Sequence, residues 1–259
     1  MRIFTCERQY EAMMTCIYDA WSYALSAGHE NVRLMPEPVY QPSLFEEYVH
    51  IDADEEKVKK VTRSIQSKIG MDAYIHIYYA CLSKEDTLDD IYRFLRVGFR
   101  MGKPVMQALS VPEVLRMMEI RRNVGNEAHY VREFARFHSI DNQVYVCHLE
   151  PKNDVITLVA EHFADRMPSE YFMIIDDNRS YAVIHDLNDT EAYHKLSIRQ
   201  LEPAELQKLK QTEEYPDAYR GLWKTFFDTI GIEQRRNPKC QRNLMPIWMR
   251  KHAVEFMDE

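Results

Sequence analysis

Between residues 143 and 186 the three-and-four spacing of apolar residues gives way to short apolar runs, and this change constrains the fold more than any other feature of the sequence. The runs "QVYVCHLEP", "EYFMIIDD" and "SYAVIHD" read as strands. A helical pattern over 154–166 separates the first from the second, and "DDNRS" supplies turn residues between the second and third. The segment is predicted to be a β-α-β-hairpin unit.

Helical patterns dominate elsewhere. Residues 7–26 carry Met13, Met14, Ile17, Trp21, Ala24 and Leu25 at helical intervals, after a short apolar start at Ile3 and Phe4. "LMPEPVYQPSLF" holds too many prolines for a helix and reads as an extended connection, and "EEYVHI" reads as a strand. The acidic run Asp52 to Glu56 suits a capped helix start, and the pattern it opens stops at Gly70. Helices follow over 72–82 and 86–101, with "GKP" breaking the second, and a long one over about 112–138 with Pro112 in its first turn. From about residue 200 the chain returns to helix with "PAELQKLKQT" and "YRGLWKTFFDTIGI". The expected class is α+β, mostly helical with a small antiparallel sheet. It divides into a mainly helical region 1–110 and an α+β region 111–259, or forms one continuous domain.

Seven Gly and sixteen Tyr among 259 residues point to a packed, aromatic-rich protein rather than a disordered one. Cys6, Cys16, Cys81, Cys147 and Cys240 form no CxxC pair, which argues against a disulfide framework and against a zinc or iron–sulfur site. No metal site and no cofactor motif are expected. The first residues lack the continuous apolar core of a signal peptide, and no run approaches a membrane span, so a cytoplasmic protein without a membrane partner is expected.

Charge is unevenly placed. Residues 233–252 hold six Lys and Arg against one Glu, so in a chain of net charge −8 the remainder carries −13. Such a body repels phosphate overall, and any contact with nucleic acid must be local and salt-sensitive. Arg235, Arg236, Lys239, Arg242, Arg250 and Lys251 alternate with Asn237, Gln241, Asn243 and Trp248, which combines phosphate-pairing charge, amide hydrogen bonding and a stacking ring. Pro238 and Pro246 keep the stretch from forming one long helix. The alternative is an arm packed on the acidic body of its own chain or of a partner.

Two further clusters carry titratable groups. On the long helix Arg122, Asn126, His129, Glu133 and Arg136 recur at helical intervals, the material of an anion-binding or acid–base face, or of a solvated face stitched by ion pairs. Gly125 within that helix hints at a close approach. Farther on, His162 and Arg166 lie one turn apart, and Asp176, Asp177, Arg179, His185 and Asp186 crowd the hairpin and its exit. The paired carboxylates also fit the turn itself. Candidates for acid–base chemistry are Asn126, His129, Glu133, His162 and Asp177. Candidates for nucleic-acid binding are Arg122, Arg136 and Arg166 with the tail residues Arg235, Arg236, Asn237, Lys239, Gln241, Arg242, Arg250 and Lys251. The common nucleotide, metalloprotease and hydrolase signatures are absent from the chain.

"NEAHYVREFARF", "LVAEHFADRMP" with "IIDDNRSYAVIHD", and "LWKTFFDTIGIEQRRNPKCQRNLMP" together resemble a bacterial family of DNA metabolism and DNA repair proteins built around a domain of unknown function. The most specific part is the pattern from Arg235 to Pro246, with Asn237, Pro238, Gln241 and Met245; the segment after Pro246 departs from the basic, tyrosine-rich continuation of the family. The resemblance implies DNA as a partner and a companion radical S-adenosylmethionine protein of DNA modification or repair, and some relatives are joined to a uracil-DNA glycosylase-like domain. It implies no catalytic residues. The lack of a cluster-binding cysteine motif fits a protein that leaves radical chemistry to another chain. The rival readings are an enzyme acting on a nucleotide or base in its own pocket, and an adaptor that binds protein alone.

Overall fold

The computed structural model describes residues 1–212 and 218–256 of the protein. The chain forms two compact units, Met1–Gly125 and Asn126–Glu259.

The first unit is a parallel three-stranded sheet covered by helices. Strands β1 (Arg2–Cys6), β2 (Val32–Pro36) and β3 (Glu47–His50) lie in the order β2-β1-β3, with β1 parallel to both neighbours. Helix α1 (Tyr10–Ala27) makes the crossover from β1 to β2, which is what a parallel pair requires. It buries Met13, Met14, Ile17, Ala20 and Ala24. Helix α2 (Glu55–Lys68) starts as the acidic run predicts: Asp54 caps it, its side chain accepting from the backbone N–H groups of Glu56 at 2.9 Å and Lys57 at 3.1 Å. Its apolar stripe of Val61 and Ile65 enters the core, and Gly70, at φ 117°, follows its end. Helices α3 (Met71–Cys81) and α4 (Leu88–Met101) complete the cover. Helix α4 approaches Ile69 closely at Gly98, where a Cβ would stand 2.9 Å from Cδ1 of that buried side chain and force it to shift.

Helix α5 (Pro112–Phe134) begins in the first unit and ends in the second. Near the boundary Arg121 lays its guanidinium 3.7 Å from the centroid of the Tyr79 ring, and a Cβ on Gly125 would stand 2.7 Å from an Arg121 nitrogen. That nitrogen is the flexible tip of a side chain one turn earlier, and the Tyr79 ring stands at an ordinary 3.9 Å, so the glycine does not mark the close approach expected.

The second unit is built on a five-stranded sheet ordered β4-β5-β6-β7-β8: β4 (His138–Ile140), β5 (Val144–Leu149), β6 (Tyr171–Asp176), β7 (Tyr181–His185) and β8 (Leu196–Gln200). Helix α6 (Ile156–Arg166) connects β5 to β6, which are parallel from Val144↔Tyr171 to Leu149↔Asp176; every other pairing is antiparallel. The β-α-β-hairpin unit is therefore present within a mixed sheet. At the hairpin turn the Asp176 carboxylate accepts from the backbone N–H groups of Asn178 and Arg179, both at 3.0 Å, the bonding that Asp brings to turns. The class is α+β and mostly helical, while the sheets are parallel and mixed rather than antiparallel.

Two local expectations give way to strand pairing. The long helix stops at Phe134, short of 138, because His138 to Ile140 pair with β5 through a tight turn at Asp141 and Asn142, whose φ values are 51° and 53°. Strand β2 takes up the start of the segment read as an extended connection, and β8 immediately precedes the helix expected from about residue 200. After β8 come α7 (Pro203–Gln211), α8 (Ala218–Ile230), α9 (Pro238–Leu244) and short 3-10 turns at Ile247–His252 and Val254–Phe256. The tail is broken at both prolines, as expected.

Candidate functional site

The carboxyl ends of β5 and β6 lie side by side, and in α/β sheets this edge is where ligands gather. Three polar groups emerge there. His148 is the penultimate residue of β5, Glu150 follows that strand, and Asp177 follows β6, its backbone N–H donating to the Leu149 carbonyl at 2.9 Å. His148 Nδ1 meets Asp177 Oδ1 at 3.1 Å, with side-chain exposures of 0% and 2%. Two other imidazoles flank it. The His138 ring lies parallel to that of His148 with centroids 6.0 Å apart, and the His252 ring is stacked at 6.4 Å. Lys210 of α7 brings its ammonium to 3.6 Å from Asp177 Oδ2, and Lys251 pairs with Glu150. One donor atom from each of Glu150, Asp177 and His252 falls within 4.8 Å of the others.

A cavity of about 520 Å³ opens beside this centre. His138 and His252 line it together with the rings of Phe137, Trp223 and Phe226 and the guanidinium of Arg136. Tyr219 and Arg220 lie at its α8 wall. Arg136 is fixed by Glu255, at 2.6 Å, and faces the Trp223 ring at 5.5 Å. Burial alone would raise the Glu255 carboxyl, but the bonds from Arg136 outweigh it and hold Glu255 below the usual carboxylate range. The pocket thus offers flat apolar faces beside a cation and two imidazoles.

The sequence candidates separate into three places. His129, Glu133 and His162, with Arg136 and Arg166, line an open cavity of about 540 Å³ between α5 and α6, in which His129 Nε2 and Glu133 Oε1 are 3.1 Å apart. Asp177 is not among its lining residues; it belongs to the His148 centre. Asn126 and Arg122 are exposed on α5 and line none of these cavities. The acid–base set therefore does not converge as a whole. Glu127, on the same helix, is buried and accepts from the backbone N–H groups of Lys152 at 2.7 Å and Asn153 at 2.9 Å, while Arg132 donates to the Leu158 carbonyl.

The basic tail also divides. Arg235, Arg236, Asn237, Lys239 and Arg242 are exposed, and Gln241 is half-buried. Asn237 caps α9 through a bond from the Cys240 N–H at 3.0 Å. Arg250 is half-buried, its guanidinium 4.3 Å from the Phe256 ring and its Nε donating to the Met245 carbonyl, and Lys251 is engaged by Glu150. Packing on its own chain therefore describes residues 250–251, while the side chains at 235–240 and 242 keep large exposed surfaces and Arg242 Nε donates to the Pro238 carbonyl at 3.2 Å.

Sequence reasoning missed His138, His148, His252 and Trp223. It also missed a groove of about 1010 Å³ in the first unit, where Arg33 joins Arg93, Arg96 and Arg100 of α4 beside Trp21 and Phe99. The spacing of the three α4 arginines, which places them on one helix face, is the signal that was available.

A family model described as a domain of unknown function (DUF4130) matches residues 85–255, more than half of the chain. The chain belongs to that family. The match takes in the whole His148 centre, the Trp223 pocket and the basic tail. No curated protein and no solved structure matches the chain. Among the described residues no helix is long and apolar enough to cross a membrane.

Proposed function

We propose that the chain is a nucleic-acid-binding protein of DNA repair or DNA metabolism that works beside a radical S-adenosylmethionine partner, and that its second unit takes an unstacked base against Trp223. One observation carries this reading: a cavity of about 520 Å³ that sets Trp223, Phe226 and Phe137 beside Arg136. Its volume suits a small ligand, and stacking on aromatic rings with a neighbouring guanidinium is how proteins hold bases outside a duplex. The exposed charges of Arg235, Arg236, Lys239 and Arg242 supply phosphate contacts that read no sequence.

Binding of a labelled single-stranded oligonucleotide, followed by anisotropy across a salt series, tests both parts. Trp223→Ala should weaken binding by roughly five- to 150-fold, the value of one stacked base, with the salt slope unchanged. Arg235→Glu with Arg236→Glu should flatten the slope. Absence of binding at low salt, or affinity indifferent to both changes, overturns the proposal.

A second reading has its own support. Leu222, Phe226 and Ile230 recur every fourth residue on α8 and are 67%, 50% and 56% exposed, an apolar stripe suited to a protein partner. An adaptor of this kind would co-purify with the partner and show no nucleic-acid affinity at moderate salt.

A further inference from the structure

The His148 centre has a property that nucleic-acid binding does not use. The Asp177 side chain is buried, yet its Oδ2 has no hydrogen-bond partner among the described residues; Lys210 approaches only to 3.6 Å. A buried carboxylate oxygen that accepts no hydrogen bond is costly, and a single ammonium at 3.6 Å compensates its charge only in part. The nearest groups able to share a ligand with it are a second carboxylate, Glu150, and an imidazole, His252, with donor atoms that lie within 4.8 Å of one another.

We propose that Glu150, Asp177 and His252 bind a divalent first-row transition-metal ion. The donor set of two oxygens and one imidazole nitrogen favours zinc, manganese or iron(II) over calcium and magnesium, which prefer oxygen alone. Three ligands from three separate elements, the ends of β5 and β6 and the turn at Ile247–His252, leave a coordination position open, the arrangement of a catalytic rather than a structural ion. An ion with bonds of about 2.1 Å draws tetrahedral donors to about 3.4 Å apart. Rotation of the half-buried Glu150 and His252 side chains covers the difference. His148, bonded to the other oxygen of Asp177, is a positioning residue: it fixes the carboxylate as outer-shell partners of metal ligands do. Lys251 and Lys210 balance the carboxylates without the ion and move aside for it. The proposal does not depend on nucleic-acid binding.

The test uses the full chain, stripped with chelator and titrated with Co²⁺ alone, following the visible absorption of the bound ion and the heat of binding. One equivalent should bind, with an intense tetrahedral or five-coordinate spectrum. Glu150→Gln and His252→Gln should each weaken binding at least tenfold, and His148→Gln by roughly ten- to a hundredfold while leaving the stoichiometry at one. Both ligand changes are at half-buried positions, so circular dichroism will show a folded chain. No absorption beyond that of the free ion, or an affinity unchanged in Glu150→Gln and His252→Gln, overturns the proposal.

Discussion

His148 Nδ1 stands 3.1 Å from Asp177 Oδ1 across two parallel strands, and neither side chain reaches solvent. The contact joins residues 29 positions apart in sequence, and it exists because α6 returns the chain to lie parallel to β5. His148→Ala would leave a buried carboxylate facing only Lys210. Removing the donor from a hydrogen bond to a buried carboxylate costs about 1.5–3 kcal/mol. His148→Gln, whose amide still donates, should recover part of that loss. Urea unfolding with unchanged m-value measures both, and a loss under about 1 kcal/mol for the alanine variant would show the pair to be unimportant to the fold.

Glu127 performs a different task from its neighbours on α5. Its buried carboxylate accepts two backbone N–H groups and the Asn153 side chain, tying the loop after β5 to the helix. Hydrogen bonds to a charged acceptor are worth about 1.5–3 kcal/mol each, and removing the acceptor strands the donors. We expect Glu127→Ala to destabilise the protein by about 3 kcal/mol, with the largest rise in hydrogen exchange at the amides of Lys152 and Asn153. Glu133→Ala, on the exposed face of the same helix, should stay within about 0.5 kcal/mol. Equal effects at the two positions would refute the distinction.

The contrast between these two glutamates shows what the sequence discloses. Local chemistry is legible: Asp54 caps α2 and Asp176 bonds its own turn because both interactions lie within three residues. Non-local chemistry is not. The partner of Glu127 is a pair of amides about 25 residues away, which have no side-chain signature, and the partner of His148 is fixed by register. The two aspartates at 176 and 177 divide between turn and site. The sequence offered both roles but could not say that the first residue takes one and the second the other. Strand β2 was missed for a related reason, since five residues ending at Pro36 become a strand only through pairing with β1.

The tail offers a comparison between charges of equal sign. Arg235 and Arg236 are exposed, and Lys251, exposed as well, pairs with Glu150. If the proposed phosphate contacts are made by the exposed pair, Arg235→Ala with Arg236→Ala should reduce the slope of log affinity against log salt by about 1.4 on single-stranded DNA. Lys251→Ala should leave it unchanged. A larger effect from Lys251 would mean that the ion pair with Glu150 opens to release a phosphate ligand.

Acid should release the last turn of the described chain. Glu255 takes up its proton less readily in the folded state than the ordinary value of 4.5, because the bonds donated by Arg136 outweigh the upward push of burial. The unfolded chain therefore binds the proton first as pH falls. Stability from this pair is fully present above about pH 4.5 and disappears as pH drops through the lower folded value. Trp223 reports the change, since its ring faces the Arg136 guanidinium at 5.5 Å. With Trp21 and Trp248 replaced by Phe, the remaining fluorescence should shift below pH 4.5. Glu255→Gln, which cannot ionise, should already show the acid spectrum at neutral pH and lose that transition. A transition that persists unaltered in Glu255→Gln would assign it to another carboxylate and leave the Arg136 contact without a role in anchoring the pocket wall.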